Sequence, residues 1–392
     1  MSTRAAQPGD RQDPPPQDPP PRDPPPQDST QQRPTLLSVA LALLIGTFGG
    51  WIAYLLALPL AWMIGAMLAT TAAAASGVRV ALPAPLRAVM VAVLGVMLGS
   101  GFTPEILPRL GEWSLSLTAL IGYILVSGAA SLLYFRRVAN YDRVTAYFSA
   151  MPGGLSEMIL VGGEMGGDSR IISLIHASRV LLVVLVLPFA FQLLIGYDTA
   201  NGDTRPTVSG PPLLSVPLVD LALLGACGVV GFFAAKAMRL PAAAVVGPMI
   251  LSAAVHLAGW TEAAPPFELV AAAQVIVGTA IGCRFAGVGA RFMARTVAVA
   301  AGGTTILLAV TVAFAFMLHA ATDLPPAALV LAFAPGGLAE MSLIALALSL
   351  ETAFVATHHI VRIFLIVVLA PVAFNTLRRG FRAKSSKHDD HM

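Results

Sequence analysis

Charge is what this 392-residue chain has least of: Asp, Glu, Lys and Arg make up 11% of it, against roughly 25% in ordinary globular domains. With 56% apolar residues and a mean hydropathy of +0.78, a soluble enzyme of this length is excluded. Cysteine is nearly missing too. Cys227 and Cys283 each sit alone in an apolar stretch, so they offer neither a disulfide framework nor a thiolate metal site and read as small packing residues. Histidine is sparse, and His256 and His319 are isolated. His358 and His359 are adjacent, but neighbours in a helix point to different faces and chelate poorly. No haem, copper or zinc pattern, no phosphate loop and no dinucleotide fingerprint occurs. No cofactor, no metal and no enzyme activity are therefore expected. The formal charge of +3 is small, and in an apolar chain basic residues mainly report loop orientation, so no nucleic-acid partner is read from it.

Proline is plentiful, and it is concentrated at one end. Residues 13–28 read DPPPQDPPPRDPPPQD, a five-residue repeat. Proline there fixes φ and removes donors, which predicts a disordered, extended spacer over 1–34. The first apolar run starts only at Leu36, which suits a signal anchor rather than a cleavable leader. At the other end, 377–392 form a basic, polar tail.

The body between these ends is duplicated. Shifted by 183 residues, MPGGLSEM at 151–158 meets APGGLAEM at 334–341. The register then carries Asp168 onto Glu351, His176 onto His359 and Arg179 onto Arg362. Upstream, LPLAWMIGAML at 58–68 meets LPAAAVVGPMI at 240–250, and Gly95 and Gly99 meet Gly278 and Gly282. These glycines are small-xxx-small pairs suited to close helix packing. The expected organisation is repeat 1 over 35–197, an extracytoplasmic linker over 198–217 and repeat 2 over 218–376.

Each half holds six apolar segments: 36–58, 60–76, 86–103, 113–135, 145–163 and 170–196, then 218–235, 241–260, 268–283, 297–319, 327–350 and 352–376. Six full crossings per half would make the repeats parallel. If the fifth segment of each half turns back or breaks, each half crosses five times and the halves are inverted. That arrangement puts Arg79, Arg87, Arg136, Arg137, Arg143, Lys236, Arg239, Arg284, Arg291, Arg295 and both termini on one side. Arg109 and Arg205 fall on the other, while Arg170, Arg179 and Arg362 lie in or near the membrane. The basic side should be cytoplasmic. The predicted fold is an all-α polytopic membrane protein with about ten transmembrane helices, two re-entrant or broken segments and two inverted repeats.

The chemistry should sit at the breaks. Pro152, Gly153 and Gly154, and Pro335, Gly336 and Gly337, cannot sustain a helix. Backbone freed at membrane depth needs protein or a water-filled cavity around it. A helix restarting near Leu155 or Leu338 would aim unpaired amides and a positive dipole end at the break, favouring an anion. Glu157 and Glu340 fall in that first turn, either as functional carboxylates or as capping groups. Asp168 and Arg179 are eleven residues apart, nearly eclipsed at 100° per residue, and His176 lies one turn before Arg179. Asp168, His176 and Arg179 could thus share a face, as could Glu351, His359 and Arg362. An arginine in an apolar helix must face a partner or a cavity: a ligand, one of the glutamates, or the carbonyls of the broken helix. The histidines could relay protons or simply bond a carbonyl.

The paired PGGLxEM elements, the trailing His-x-x-Arg of each half and the paired LPLAWMIGAML and LPAAAVVGPMI segments resemble the AbrB-type duplicated integral membrane proteins of bacteria, over about 36–376. That resemblance implies an inner-membrane location and the labels such proteins carry, regulation of gene expression and ammonia monooxygenase. The second would need a redox metal for which the residues supply no ligand cluster. At the level of fold, the chain resembles cation/proton antiporters and bile-acid-type symporters. The reading that follows is a secondary transporter or exporter of a small solute, with an anion as one option, and its site at the two breaks; the alternative is a membrane sensor that affects gene expression. Expected partners are lipid, a small-molecule or ion substrate and, as an option, a second copy of the chain.

Overall fold

A computed structural model describes residues 34–195 and 210–389. The Pro-rich arm apart from Pro34, residues 196–209, which include the linker up to 209, and residues 390–392 of the tail lie outside the described residues. Fourteen α-helices form, with no strand among the described residues. The first half contains α1 (Leu36–Leu55), α2 (Ala61–Ala75), α3 (Ala84–Gly99), α4 (Ser114–Arg137), α5 (Arg143–Ala150), α6 (Leu155–Glu164) and α7 (Ser169–Ile195). The second contains α8 (Leu218–Ala237), α9 (Ala243–Leu257), α10 (Phe267–Gly282), α11 (Ala290–Thr322), α12 (Pro326–Phe333), α13 (Leu338–Ala347) and α14 (Thr352–Asp389). The fifth apolar segment of each half is thus two short helices. The polar tail beyond 377 continues α14 as helix to Asp389. Seven helices among the described residues are long and apolar enough to cross a membrane. Their outward faces expose large apolar side chains such as Leu44, Leu125, Val229, Phe233, Phe316 and Val368, as a lipid solvent permits. The protein is an all-α polytopic membrane protein.

The duplication is visible in the backbone itself. Left-handed φ recurs at matched positions, at Ala57 and Arg239, at Leu60 and Ala242, and at Asn140 and Asp323. This conformation costs a non-glycine residue about 1–2 kcal/mol, so its recurrence marks one architecture built twice. The halves interlock by exchange: α2 packs on α10 and α3 on α9. A Cβ on Gly95 would meet the backbone of Val245, and one on Gly278 the backbone of Met63, the residue matched to Val245. Gly99 abuts Met249 and Ser252 as Gly282 abuts Thr70 and Thr71. These glycines serve close helix approach, and the pattern is that of a pseudo-two-fold axis.

Contacts at the two ends of α4 give the orientation of the halves. At its start, the ring of Trp113 packs edge-on against Phe354 with centroids 5.5 Å apart, and Ser116 Oγ lies 2.8 Å from His358 Nε2, so α14 begins there. At its end, Phe135 clusters with Ala146 of α5 and Ile175 of α7, so α7 begins there. A 24-residue helix is about 36 Å long. The matched helices α7 and α14 therefore start on opposite sides, and the repeats are inverted.

The α5–α6 pair is a hairpin rather than a crossing. Thr145 Oγ1, in the first turn of α5, accepts from the backbone N–H of Asp168, just past the end of α6, at 2.8 Å. The chain leaves the hairpin on the side where it entered. The α12–α13 hairpin repeats this from the opposite side, with His359 and Arg362 of α14 reaching α12 and its break as His176 and Arg179 of α7 reach α5 and its break.

Candidate functional site at the two helix breaks

Both hairpins break at the Pro-Gly-Gly element. α5 stops at Ala150 and α6 restarts at Leu155; α12 stops at Phe333 and α13 restarts at Leu338. Met151 and Ala334, each preceding a proline, are extended at ψ 128° and 140°, because the ring disfavours helical backbone before it. Pro152 and Pro335 are buried between the half-helices. Space at the breaks is tight. A Cβ on Gly153 would lie 2.7 Å from Ile366 Cγ2 of α14, so the first break is closed by a helix of the other half.

The exposed C-terminal carbonyls of α5 and α12 are capped by arginine. Arg362 is 1% exposed and donates to Phe333 O (3.2 Å), Ala334 O (2.6 Å) and Gly336 O (3.0 Å). Arg179, 4% exposed, donates to Met151 O at 3.1 Å and Gly153 O at 3.5 Å. Each guanidinium also donates to the histidine three residues before it: Arg179 to His176 Nδ1 at 2.8 Å, Arg362 to His359 Nδ1 at 2.9 Å. A guanidinium can only donate, so Nδ1 accepts. The other ring nitrogen faces a carbonyl, Phe148 O or Leu331 O, at 2.9 Å and must carry the proton. Both imidazoles are held neutral in one tautomer. Each thus bridges its arginine and a carbonyl of the preceding half-helix.

Glu157 and Glu340 occupy the third position of their helices, behind the capping glycines Gly154 and Gly337. Each carboxylate folds back over its own glycine, so closely that a Cβ there would collide with Oε2. This is the geometry of a helix N-terminus satisfied by its own acid, and Glu157 Oε1 also accepts from Ala242 N at 3.2 Å. Neither glutamate pairs with Arg179 or Arg362.

Asp168 and Glu351 do not join the site. Asp168 stands just before α7, where Oδ1 accepts from Arg170 N and Ile171 N at 2.9 and 3.0 Å. Eclipsing with Arg179 would require helix through Asp168, and the aspartate instead starts the helix. Glu351 pairs with Arg109 at 3.2 Å beside the first turn of α14.

The two breaks, 183 residues apart in the chain, line one cavity of about 350 Å³. Gly153, Gly154, Glu157 and Arg179 come from one half, and Gly336, Gly337, Glu340 and Arg362 from the other. Two residues not singled out from the sequence as site candidates join them: Arg87 of α3 and Arg284, just beyond α10. The charged lining is thus four arginines against two glutamates. The hairpins are unequally covered. Residues 341–345 of α13 are all buried, whereas α6 exposes Ser156, Leu160 and Glu164. Among the described residues no cluster of three metal-ligating side chains occurs.

Inverted repeats, paired hairpins and a shared central cavity define a class, the polytopic membrane proteins with broken helices at a repeat interface. Within it, the chain belongs to the AbrB family: the family described as Transition state regulatory protein AbrB matches residues 62–378. It is 28% identical over 374 residues to the Bacillus subtilis (strain 168) protein named "Uncharacterized protein YhjN", covering 88% of this chain and 94% of that one. It is 25% identical over 315 residues to the Escherichia coli (strain K12) protein named "Putative regulator AbrB", covering 80% of this chain and 89% of the relative.

Proposed function

We propose that the protein is a secondary transporter of a small anionic solute, set in the bacterial cytoplasmic membrane with both termini in the cytoplasm. The observation that carries this reading is the cavity where both helix breaks meet. α6 and α13 direct their N-terminal ends at it, Arg179 and Arg362 border it, and apolar walls enclose it. Helix N-termini and guanidinium groups favour negative charge, and a site at the interface of inverted repeats can be exposed to either side by moving one half against the other. The unequal cover of the two hairpins supports one such state, open along α6. The basic loops on the side where α4 ends support a cytoplasmic assignment of that side.

In this reading Glu157 and Glu340 exchange coupling protons as the cavity opens and closes, since arginine stays protonated. The protein is reconstituted into vesicles, and uptake of benzoate, succinate and phosphate is followed with and without a pH gradient. Anion flux that loses its pH dependence in Glu157→Gln, Glu340→Gln is the expected result. Flux of no anion, with binding of none, removes the transporter reading. A regulatory role rests on the description of the family and the name of the Escherichia coli relative, and would require that deleting residues 1–33 and 380–392 abolishes an effect on gene expression while flux persists.

A further inference from the structure

Arg87 and Arg284 line the central cavity, and neither makes a hydrogen bond or an ion pair with the described residues. They belong to different halves, yet they are not each other's repeat equivalents. The 183-residue shift places Arg87 on Val270 and Arg284 on Gly101. The duplicated architecture therefore has two arginines at one mouth and none at the matched positions of the other. Both stand on the side where α1 begins and α4 ends. Ala81 N, just ahead of α3, donates to Ser38 O at 3.4 Å. Phe285, beside Arg284, packs with Ala42, Val80 and Leu174 near the starts of α1, α3 and α7.

We infer that Arg87 and Arg284 form an entrance subsite that recruits an organic anion with an apolar body from this one side of the membrane. The proposal rests on the transporter reading for its purpose, but its electrostatics stand alone. Arg179 and Arg362 have their guanidinium groups engaged by break carbonyls and histidines. Glu157 and Glu340 are folded onto their own helix ends, Glu157 also accepting from Ala242 N, so neither forms an ion pair with the arginines of the lining. Arg87 lies within electrostatic reach of Glu340 without bonding it, and four arginines against two glutamates leave the lining net positive, with Arg87 and Arg284 the two guanidinium groups not engaged by a direct hydrogen bond. Between them and the breaks the wall is apolar, with Val91, Val180, Val245, Val277 and Ile281. A solute filling about 350 Å³ must therefore offer hydrocarbon as well as charge. An inorganic anion would leave that surface unfilled. The asymmetry also distinguishes the two sides: capture of an anion is faster from the basic side, while the solute gradients set the net direction.

The test needs no knowledge of the natural solute. In a Cys227→Ala, Cys283→Ala background, Ser156→Cys places one thiol in the cavity lining, at an exposed position of α6. Its rates with anionic sulfonatoethyl and cationic trimethylammonium-ethyl methanethiosulfonate are compared in the full-length protein. The expected parent favours the anionic reagent. Arg87→Gln with Arg284→Gln lowers the anion-to-cation rate ratio by roughly tenfold, since a charged cleft focuses its field. Arg87→Lys with Arg284→Lys keeps the ratio, and 1 M salt in the parent lowers it, which preserves the test if the glutamine variant fails to fold. Leu214→Cys, in the loop before α8, keeps its ratio throughout. Benzoate should slow labelling at Ser156→Cys more than phosphate, benzamide or choline does. A ratio unmoved by the glutamine pair and by salt, or no protection by benzoate, overturns the proposal. Anion preference and benzoate protection without flux of any anion would keep the subsite and remove the transporter. Flux of an anion with an unmoved ratio would do the reverse.

Discussion

The matched arginines Arg179 and Arg362 hold equivalent positions but are not equally bound, which makes their replacement by lysine a direct reading of what they do. Arg362 has four partners, three carbonyls at 2.6–3.2 Å and His359 Nδ1 at 2.9 Å. Arg179 has His176 Nδ1 at 2.8 Å, Met151 O at 3.1 Å and Gly153 O at the outer limit of 3.5 Å. A lysine ammonium is a single nitrogen and cannot span break carbonyls and imidazole as a planar guanidinium does. A hydrogen bond from a charged group contributes about 1.5–3 kcal/mol. Arg362→Lys should therefore destabilise the protein more than Arg179→Lys by about one such bond, roughly 1.5–3 kcal/mol. Thermal unfolding of the two purified variants in the same detergent, followed by the loss of the monodisperse size-exclusion peak, measures the difference. Equal losses, or a larger loss for Arg179→Lys, would refute the assignment of these contacts. Unchanged stability with lost anion binding would mean the guanidinium groups serve the ligand and not the breaks.

Three further outcomes follow from the same geometry. In α8, a Cβ on Gly225 meets nothing within 4 Å, whereas one on Gly231 would lie 2.6 Å from Gly247 O. Gly225→Ala should stabilise by about 0.5–1 kcal/mol through helix propensity and Gly231→Ala should destabilise by about 1–3 kcal/mol through overpacking, so thermal shifts of the same sign would contradict the packing. Gly111→Cys and Gly289→Cys, both in open space, should react with impermeant thiol reagents from opposite faces of the membrane in a cysteine-free background; labelling from one face would exclude inverted repeats. Burial raises the pKa of Glu351, with Arg109 partly offsetting it. A raised carboxylate pKa means the folded state holds the proton more tightly, so this contribution is greatest at acid pH and is lost as pH rises past about 4.5. Glu351→Gln should accordingly gain stability relative to the parent at pH 7 and not at pH 4, and a gain confined to pH 4 would reverse the sign.

Much of this site is legible in the sequence because duplication repeats a local signal. Pro-Gly-Gly stops a helix whatever surrounds it, and a His-x-x-Arg pair must face something when it lies in an apolar helix. That the something is the break itself follows from the hairpin, which the sequence states only in three dimensions: Thr145 and Asp168 meet because α6 returns beside α5. Spacing alone misplaces Asp168 and Glu351. Eleven residues align two side chains only if helix runs between them, and Asp168 is followed by Ser169 at a helix start, where its carboxylate caps. Arg87 and Arg284 are hidden for another reason. Each reads as one more basic residue near a loop, and only the exchange of α2 with α10 and of α3 with α9 brings them to one cavity.

The distinction between duplicated and unduplicated residues then acquires a physical meaning. Pro-Gly-Gly, the third-position glutamate and the His-x-x-Arg pair are matched across the halves, and all of them converge on the centre, where both halves must present the same chemistry. The unmatched residues lie toward the faces. Thr145, which ties the first hairpin to Asp168, falls on Ala328, and Asp168 itself falls on Glu351, which bonds Arg109 instead. The second hairpin is held differently, by burial of residues 341–345 rather than by that tie. The matched elements thus build a centre shared by both halves, while the two ends of the molecule are free to diverge in sequence. The asymmetry of Arg87 and Arg284 against Val270 and Gly101 falls at one such end, on a wall of the shared cavity that the duplication did not keep equal.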